Sequence, residues 1–424
     1  PEISYGKFCK VLVDNGYKVA RVEQIQKADD LEKGQKVVRR DVVAIVTPGT
    51  RTQTYLDAKL SDEVAPAYLL AITERALEPA EQKSGNGGDG SDRDSDTVAA
   101  VCEYGVTYVD SMTGGFRVGL FEDGPQRNRL RTLLAKIRPK EIVFEIRGLD
   151  GGNDDALSEE TMSILRSGSH PDAVLTPTRS AVATGSLKAC LVQSKYGRKS
   201  KRRAWHAADT VAFFERTYKR IDAMNAAEEG VTRVSSGETA RALWPWVLQC
   251  MLDDGAAADA NLMPDGRCTL AWRALGGMFA HLSRCQIGFQ LLDQGSFDAY
   301  VPSDMMSAAA SSSDVPAQDA VDGSGVLAAV GGQIAAAEEG GDAGAGPATS
   351  SASSRPVSNF MSMDVHAIRN LEIFENTYDQ GKQGTLCSFL NHCATPAGRR
   401  LFRRWLAEPL CRPIAIHRRL DAVE

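Results

Sequence analysis

The sequence has no long hydrophobic run, no strong excess of one charge and no regular cysteine spacing. None of its windows approaches the ~18 uninterrupted apolar residues that a membrane-spanning helix needs, so we exclude such a helix. The net charge of −6 excludes a uniformly basic nucleic-acid binder, and any DNA contact must come from a local basic patch. What is present is an ordinary globular composition, with 43% hydrophobic residues among 424, enough for about three domains.

The nine cysteines do not predict a disulfide framework or a zinc site. Their number is odd, no C-x-x-C motif occurs, and there is no N-x-[ST] glycosylation site, all of which agree with a reducing cytosol or nucleus. His392, Cys393 and Cys387 lie close together, but their spacing is not typical of zinc ligands. We interpret them as packing cysteines beside a surface histidine and expect no metal site.

Two segments of biased composition divide the chain. Residues 81–97 contain no apolar side chain, and residues 301–359 carry 14 Ala, 11 Ser and 8 Gly without an aromatic residue. Such segments bury too little apolar surface to offset the entropy cost of ordering, so we expect both to be flexible. Three blocks of normal composition remain, and none contains a repeat of fixed period.

The first block has the pattern of an α+β fold. Phe8, Val11 and Leu12 lie at helical spacing within a helix predicted over 5–14, which ends at Asn15-Gly16. Strands are predicted over 17–22 and 37–46, and the turn Thr47-Pro48-Gly49 closes the second strand. Because the block begins abruptly at Pro1, we expect it to lack its own beginning and the chain to be a piece of a longer protein.

The second block opens with a predicted β-hairpin, in which residues 104–110 and 116–121 flank a turn. A helix is predicted from Pro125 to Pro139, with Leu130, Leu133, Leu134 and Ile137 on one face, followed by a short buried strand over 142–144. This β-β-α-β order resembles the opening of ribonuclease-H-like folds.

Later parts of the second block are predicted to be helical. Helices are expected over 205–218 and 270–292, whereas residues 150–200 are rich in Gly and Ser and support no firm prediction. The apolar face of the second helix is expected to contain Leu275, Phe279, Leu282, Phe289 and Leu292.

The third block, 360–424, is predicted to be helical throughout. Thr395 is a typical N-cap with Pro396 at the first helical position. The helix that follows places apolar residues on one side (Leu401, Phe402, Trp405 and Leu406) and arginines on the other (Arg399, Arg400, Arg403 and Arg404). We expect the arginine side to face solvent.

Candidates for catalytic and nucleotide chemistry are weak. The segment from Gln380 to Thr385 approaches a phosphate-binding loop but lacks its first glycine and its Ser/Thr, so a loop between helices is the preferred interpretation and no nucleotide-binding residue is predicted. Asp110 and Glu145 at predicted strand ends could bind metal in a ribonuclease-H-like nuclease. No third acid joins them, and Asp110 beside Ser111 is more typical of a turn. We assign no catalytic residue.

Two groups of cations could bind anions. In the first block, the candidates for contact with the DNA backbone are Ser4, Lys7, Lys10, Lys18, Arg21, Arg39 and Arg40. Backbone contacts position a protein on DNA without reading sequence, although the same cations could serve only surface solubility. The candidates for a nuclear-import signal or an anion-binding loop are Arg198, Lys199, Lys201, Arg202 and Arg203, with a plain solvated loop as the alternative.

Motifs in all three blocks resemble the MutS family. GYKVARVEQ at 16–24 and IVTPGT at 45–50 look like the later part and the exit of the MutS mismatch-binding domain. Residues 104–121 are similar to the connector domain, and motifs from Met363 to Leu410 look like the entry to the core, or lever, domain. The phrases GYKVARVEQ, LEIFEN and RLDAVE most resemble the homologue-six branch of this family.

This resemblance implies a multi-domain α/β and α chain with four parts. It implies a C-terminal portion of an α+β mismatch-binding domain over 1–56, a ribonuclease-H-like connector over 57–300, a low-complexity linker over 301–359 and the start of an all-α core domain over 360–424. It also implies DNA mismatch repair on mispaired double-stranded DNA, MutS homologue two as the heterodimer partner, a nuclear location and no membrane association.

The same resemblance implies features outside this sequence. We expect the family's Phe-x-Glu wedge to precede Pro1 and its ATPase, with ATP and Mg²⁺, to follow Glu424, so that this chain alone needs no cofactor and is not an enzyme. The alternatives are a ribonuclease-H-like metal-dependent nuclease and an interaction scaffold for other repair proteins.

Overall fold

The computed structural model describes most of the three blocks. It covers residues 4–25, 38, 40–51, 67–77, 101–146, 157–170, 172–179, 205–229, 244–253, 262–302, 304–305, 360–361, 363–379 and 381–422. The segment 81–97, most of 301–359, Arg39 and the basic cluster 198–203 lie outside these residues, so the expectations for them stay predictions. None of the helices that the structure describes is long and apolar enough to cross a membrane.

The first block forms one helix and a two-stranded antiparallel sheet. Helix α1 spans Tyr5–Asp14, as predicted, and the chain leaves it through Gly16, whose φ of +81° suits a residue without Cβ. Strand β1 (Val19–Gln24) pairs with β2 (Arg40–Val46), so both predicted strands are confirmed with shifted starts. Thr50 N–H donates to Thr47 O at 3.1 Å, which confirms the predicted turn.

A six-stranded mixed sheet organises the second block. In chain order its strands are β3 (Tyr68–Leu77), β4 (Val101–Asp110), β5 (Gly115–Asp123), β6 (Glu141–Ile146), β7 (Val174–Arg179) and β8 (Ser296–Ala299). Their spatial order is β7-β6-β3-β4-β5-β8, with β3, β4 and β5 antiparallel and the other pairings parallel. The predicted hairpin is β4–β5, and the predicted buried strand is β6.

Helices cover both faces of this sheet. On one face lie α2 (Asn128–Ile137) and α3 (Glu159–Gly168), and on the other lie α4 (Ala207–Glu229), α5 (Trp246–Gln249), α6 (Thr269–Arg284) and α7 (Gly288–Gln294). Alternate residues of β3 enter the two cores: Leu70 and Ile72 pack toward α2, whereas Leu69 and Ala71 pack toward α6. The block is therefore a three-layer α/β/α arrangement.

The prediction of a single helix over 270–292 is wrong, because this segment forms two helices, α6 and α7. The chain breaks between α6 and α7 at Gln286, whose φ is +67°, and Phe289 on the predicted apolar face is 38% exposed. Helix α6 packs directly on the sheet at Gly105, where a Cβ would lie 2.3 Å from the Leu270 carbonyl carbon. The helical spacing of apolar residues continues across the break because both helices bury leucines, so the sequence pattern did not reveal the break.

The third block is only partly helical, which corrects the expectation of helix throughout. Its helices are α8 (Val365–Asn370), α9 (Leu386–Leu390), α10 (Pro396–Ala407) and α11 (Pro413–Asp421). Residues 371–379 and 381–385 form turns and bends rather than a helix, so the loop interpretation of the phosphate-loop-like segment is confirmed for its described part. The predicted cap is also confirmed, because Thr395 Oγ1 accepts from Gly398 N–H at 3.1 Å.

The prediction that the arginine side of α10 faces solvent holds for Arg404, which is exposed, and is wrong for Arg400. Arg400 is 9% exposed, whereas Leu401 on the apolar side is 47% exposed. Arg403 lies 4.1 Å from the ring centroid of Phe374, and Glu408 at the helix end binds Arg117 of β5 at 3.1 Å. Arg400 therefore packs against the second block, where it contacts Met112, because long arginine stems can cover a neighbouring surface as apolar side chains do.

Candidate nucleic-acid interface

The first block is a small α+β unit in which three of the described cations, Lys7, Lys18 and Arg40, are exposed and three are half-buried. Cys9 and Val13 of α1 pack on Val46 of β2, and this cluster fixes which side of the helix points outward. Lys7 lies on the opposite, exposed side, and Lys10, one turn later, is half-buried. The structure thus brings these two predicted lysines together on one helix.

The remaining candidates are distributed along the sheet. Lys18 precedes β1, whereas Arg40 pairs with Gln24 at the far end, so the two exposed cations lie about 20 Å apart by strand rise. Ser4 caps the start of α1 without a side-chain hydrogen bond. Arg21 differs from the others because it forms an ion pair with Glu23 and lies 5.4 Å from the ring centroid of Tyr5.

This arrangement suits an extended phosphate-backbone contact. Lys7 and Lys18 have exposed side chains, and neither forms an ion pair within the described part of the chain. Cations spread over a length of this order can follow several phosphates, because successive phosphates on one strand are separated by only several ångströms. Arg21 is already neutralised by Glu23 and is therefore a weaker candidate on electrostatic grounds.

An apolar surface beside these cations was not anticipated from the sequence. Phe8, Val11 and Leu12 were noted for their helical spacing, yet they are 62%, 53% and 44% exposed. Val22 and Val42 face each other across the strands and are also exposed. The spacing predicted the helix but not which of its sides is buried.

The exit of the first block is joined to the second block through Glu141. Thr47 Oγ1–H donates to this carboxylate, and Gly49 N–H donates to the same oxygen, Oε2, at 3.2 Å. Thr176 Oγ1–H donates to Oε1 at 2.7 Å, and His281 Nε2 lies 3.4 Å from it. We call these five residues the Glu141 junction. The junction was not predicted, because Glu141 begins an otherwise apolar strand and its partners lie far away in the chain. An acidic residue at the start of a buried strand was the one signal that the sequence offered.

The Glu141 junction is charged inside the protein. Burial alone would raise the pKa of Glu141, but hydrogen bonds from His281, Thr47 and Thr176 and the charge of His281 lower it to about 2. Burial likewise opposes charge on His281, yet its contacts with Cys285 and Glu141 raise its pKa to about 9. At neutral pH the junction is therefore an ion pair of carboxylate and imidazolium.

The two acidic candidates, Asp110 and Glu145, each have a partner within the second block. Asp110 Oδ1 accepts from Met112 N–H at 3.1 Å, which confirms the turn interpretation, and Glu145 binds Arg273 at 2.7 Å. No cluster of three or more potential ligands occurs among the residues that the structure describes. His392 is exposed, as expected of a surface histidine, and Cys387 and Cys393 are half-buried, with Cys387 packed against the apolar cluster of the third block. The nuclease alternative is not favoured.

Three models of one protein family match the chain in order along the sequence. MutS domain I matches residues 1–55, MutS domain II matches 96–173, and MutS domain III matches 366–424. The chain belongs to the MutS family. In this MutS chain, the candidate DNA-contacting cations fall within the part matched by domain I, and Glu141 falls within the part matched by domain II.

Individual relatives agree with this assignment. The DNA mismatch repair protein Msh6 of Homo sapiens is 29% identical over 434 residues, covering 100% of this chain and 25% of the human protein. MSH6 of Saccharomyces cerevisiae is 23% identical over 432 residues, covering 100% of this chain and 25% of the yeast protein. MutS of Caldanaerobacter subterraneus is 47% identical over 66 residues, 16% of this chain and 8% of that protein.

The resemblance to the homologue-six branch is thus confirmed by relatives from animals and yeast. The chain spans about a quarter of the length of these Msh6 relatives, as the 25% coverage of the human protein illustrates.

Proposed function

We propose that this MutS chain acts in DNA mismatch repair, as the mispair-binding and connecting part of a larger protein. The observation that carries the proposal is the match to MutS domains I, II and III in family order. It is supported by relatives that are named DNA mismatch repair proteins and align over 100% of the chain.

The physical role of the first block is to hold the phosphate backbone of a bent duplex. Kinking DNA at a mispair requires an apolar wedge and many backbone contacts, because unstacking costs a few kcal/mol per step. Lys7, Lys10 and Lys18, with Arg40 at the far end of the sheet, would supply part of these contacts. The family's Phe-x-Glu wedge would come from residues preceding Pro1.

The domain division belongs to the same proposal: mismatch-binding domain over 1–56, connector over 57–300, linker over 301–359 and core start over 360–424. A ribonuclease-H-like connector is supported by the sheet, where three antiparallel strands in sequence are followed by two parallel strands beside the first. A lever role for the third block is supported by the match to MutS domain III.

The partners and cofactors are carried over from the family resemblance. The whole protein would bind MutS homologue two, act in the nucleus and hydrolyse ATP with Mg²⁺ through a domain beyond this chain, which itself would not be an enzyme. An interaction scaffold is the second candidate, and the exposed apolar side of α1, with Phe8 62% exposed, is the observation that favours it.

Fluorescence anisotropy with a labelled duplex tests the proposal. We expect the purified chain to bind duplex DNA weakly and with strong salt dependence, without preferring a G·T mispair, because the first block contains no Phe-x-Glu sequence. Lys7→Ala combined with Lys18→Ala should reduce the slope of log affinity against log salt by about 1 to 2.

The matched control removes the same charge elsewhere. Lys219→Ala with Arg166→Ala changes two exposed cations on helices α4 and α3, outside the first block, and should leave the slope unchanged. Equal effects of the two double variants would reject the assigned interface. Binding of repair proteins without any DNA binding would favour the scaffold.

A further inference from the structure

A cavity of about 300 Å³ lies where the third block meets the second block. Helix α10 forms one wall, and the ends of β3, β4, β5 and β8 with the end of α2 form the others. This volume is at the lower end of the ~300–1,000 Å³ range of ligand pockets, so it suits a small ligand better than a drug-sized one. We call it the joint cavity.

The joint cavity carries an excess of positive charge. Its five cations are Arg117, Lys136, Arg400, Arg403 and Arg404, and its three carboxylates are Asp110, Asp298 and Glu408. Two of these carboxylates already have partners: Glu408 binds Arg117 at 3.1 Å, and Asp110 accepts a hydrogen bond from the backbone N–H of Met112. Asp298 is exposed to solvent. The inner wall therefore holds more cationic donors than acceptors.

Arg400 is the clearest unsatisfied donor in this wall. It is 9% exposed, and its Nε–H has no hydrogen-bond acceptor among the described residues. Its Nη1–H reaches only the thioether of Met112, a weak acceptor, at 3.8 Å. The charge of Arg400 acts on the Asp110 carboxylate, whose pKa burial nevertheless raises. A buried guanidinium nitrogen without an acceptor costs free energy, and a planar fork of donors matches a tetrahedral oxyanion.

Neighbouring cations are also desolvated. Burial lowers the pKa of Lys136 and the pKa of Arg403, and an anion between them would relieve both costs. Arg404, which is exposed, lies at the mouth of the cavity, where it could attract an anion without being required for packing.

We infer that the joint cavity binds a small phosphate-type oxyanion, held by Arg400 and Arg404 of α10, which bridges the third block to the sheet of the second block. None of the candidate DNA-contacting cations of the first block lines this site, and the inference does not depend on the proposed mispair binding. Orthophosphate, diphosphate and the diphosphate of a nucleotide share the required chemistry.

Isothermal titration of the full 424-residue chain with pyrophosphate tests the inference, with chloride adjusted to constant ionic strength. We expect saturable binding at one site and a raised melting temperature, because a ligand that binds only the folded state stabilises it. Arg400→Met and Arg404→Met should each weaken binding by about tenfold or more, which corresponds to ~1.4 kcal/mol. Arg216→Met on α4, an exposed arginine far from α10 in the sequence, is the matched control.

Testing both Arg400→Met and Arg404→Met ensures that the experiment can reject the anion site even if one variant is unstable. If Arg400→Met does not fold, Arg404→Met still tests the site, because Arg404 is exposed. Tighter binding of ADP than of pyrophosphate would assign the oxyanion to a nucleotide, and equal or weaker binding would assign it to the free anion. Non-saturable heats, equal loss in the Arg216→Met control, or displacement of pyrophosphate by duplex DNA would overturn the assignment of a small-anion site.

Discussion

The imidazole Nε2 of His281 lies 3.4 Å from the Oε1 of Glu141, and the two residues are 3% and 0% exposed. The same carboxylate accepts hydrogen bonds from Thr47 and Gly49 at the exit of the first block. A buried ion pair in the second block thus holds the chain segment that leaves the candidate DNA-binding unit.

This pair predicts a specific pH dependence of stability. The pKa of His281 is raised from 6.5 to about 9, so its contribution is complete below pH 6.5 and is lost as the pH rises through 9. The pKa of Glu141 is lowered from 4.5 to about 2, so its contribution is complete above pH 4.5 and is lost toward pH 2. The pair therefore stabilises most between these two ordinary pKa values.

Urea unfolding of the chain and of Glu141→Gln at pH 5.5, 7.5 and 9 measures the effect. We expect Glu141→Gln to cost about 3 kcal/mol at pH 5.5, because it leaves a buried imidazole without its carboxylate, and less at pH 9. A stability difference that does not change between these pH values would contradict the ion pair.

Gly49→Ala should loosen the Glu141 junction. A Cβ at this position would lie 2.7 Å from the Cβ of Glu141, so one of the two segments must move. We expect a destabilisation of about 1 to 3 kcal/mol, measured by thermal unfolding. Gly124→Ala is the matched control, since a Cβ there meets nothing within 4 Å, and it should be neutral. Equal melting temperatures for the two variants would reject the close approach.

Truncating side chains on the two sides of α1 should have different effects on the stability of the first block. Val13 is 2% exposed, and Val13→Ala should destabilise the first block by about 2 kcal/mol. Phe8 is 62% exposed, and Phe8→Ala should change stability by less than about 0.5 kcal/mol, although it removes more carbon atoms. Native-state hydrogen exchange of β1 and β2 amides measures both, and a larger effect of Phe8→Ala would show that the helix packs by its other side.

The N-cap of α10 gives a local prediction. Thr395→Ala removes the acceptor of Gly398 N–H and should cost about 1 kcal/mol, whereas Thr395→Ser keeps the hydroxyl and should cost little. Faster hydrogen exchange in the first turn of α10 is the expected signature. Identical exchange in the alanine and serine variants would mean that the cap does not hold this helix.

Strand β3 shows why part of the fold escaped prediction. It is the central strand, paired with β4 on one edge and β6 on the other, and it buries six consecutive residues from Leu69 to Glu74. A strand covered on both faces lacks the alternation of apolar and polar residues that marks a half-exposed strand. By contrast, β4 and β5 were predictable because a short turn at Ser111 to Gly114 joins them.

The sequence by itself determined the helix over Tyr5–Asp14, the β4–β5 hairpin, the Thr395 cap and the membership in the MutS family. The first three depend on residues that are close together in the chain, where spacing, turns and capping act directly, and the family membership depends on motifs that occur in order along the chain. Only the tertiary structure decided that Arg400 is buried while Phe8 is exposed, and that Thr47, Glu141 and His281 meet. Burial depends on which surfaces come together, and residues this far apart in sequence meet only when the separate units pack.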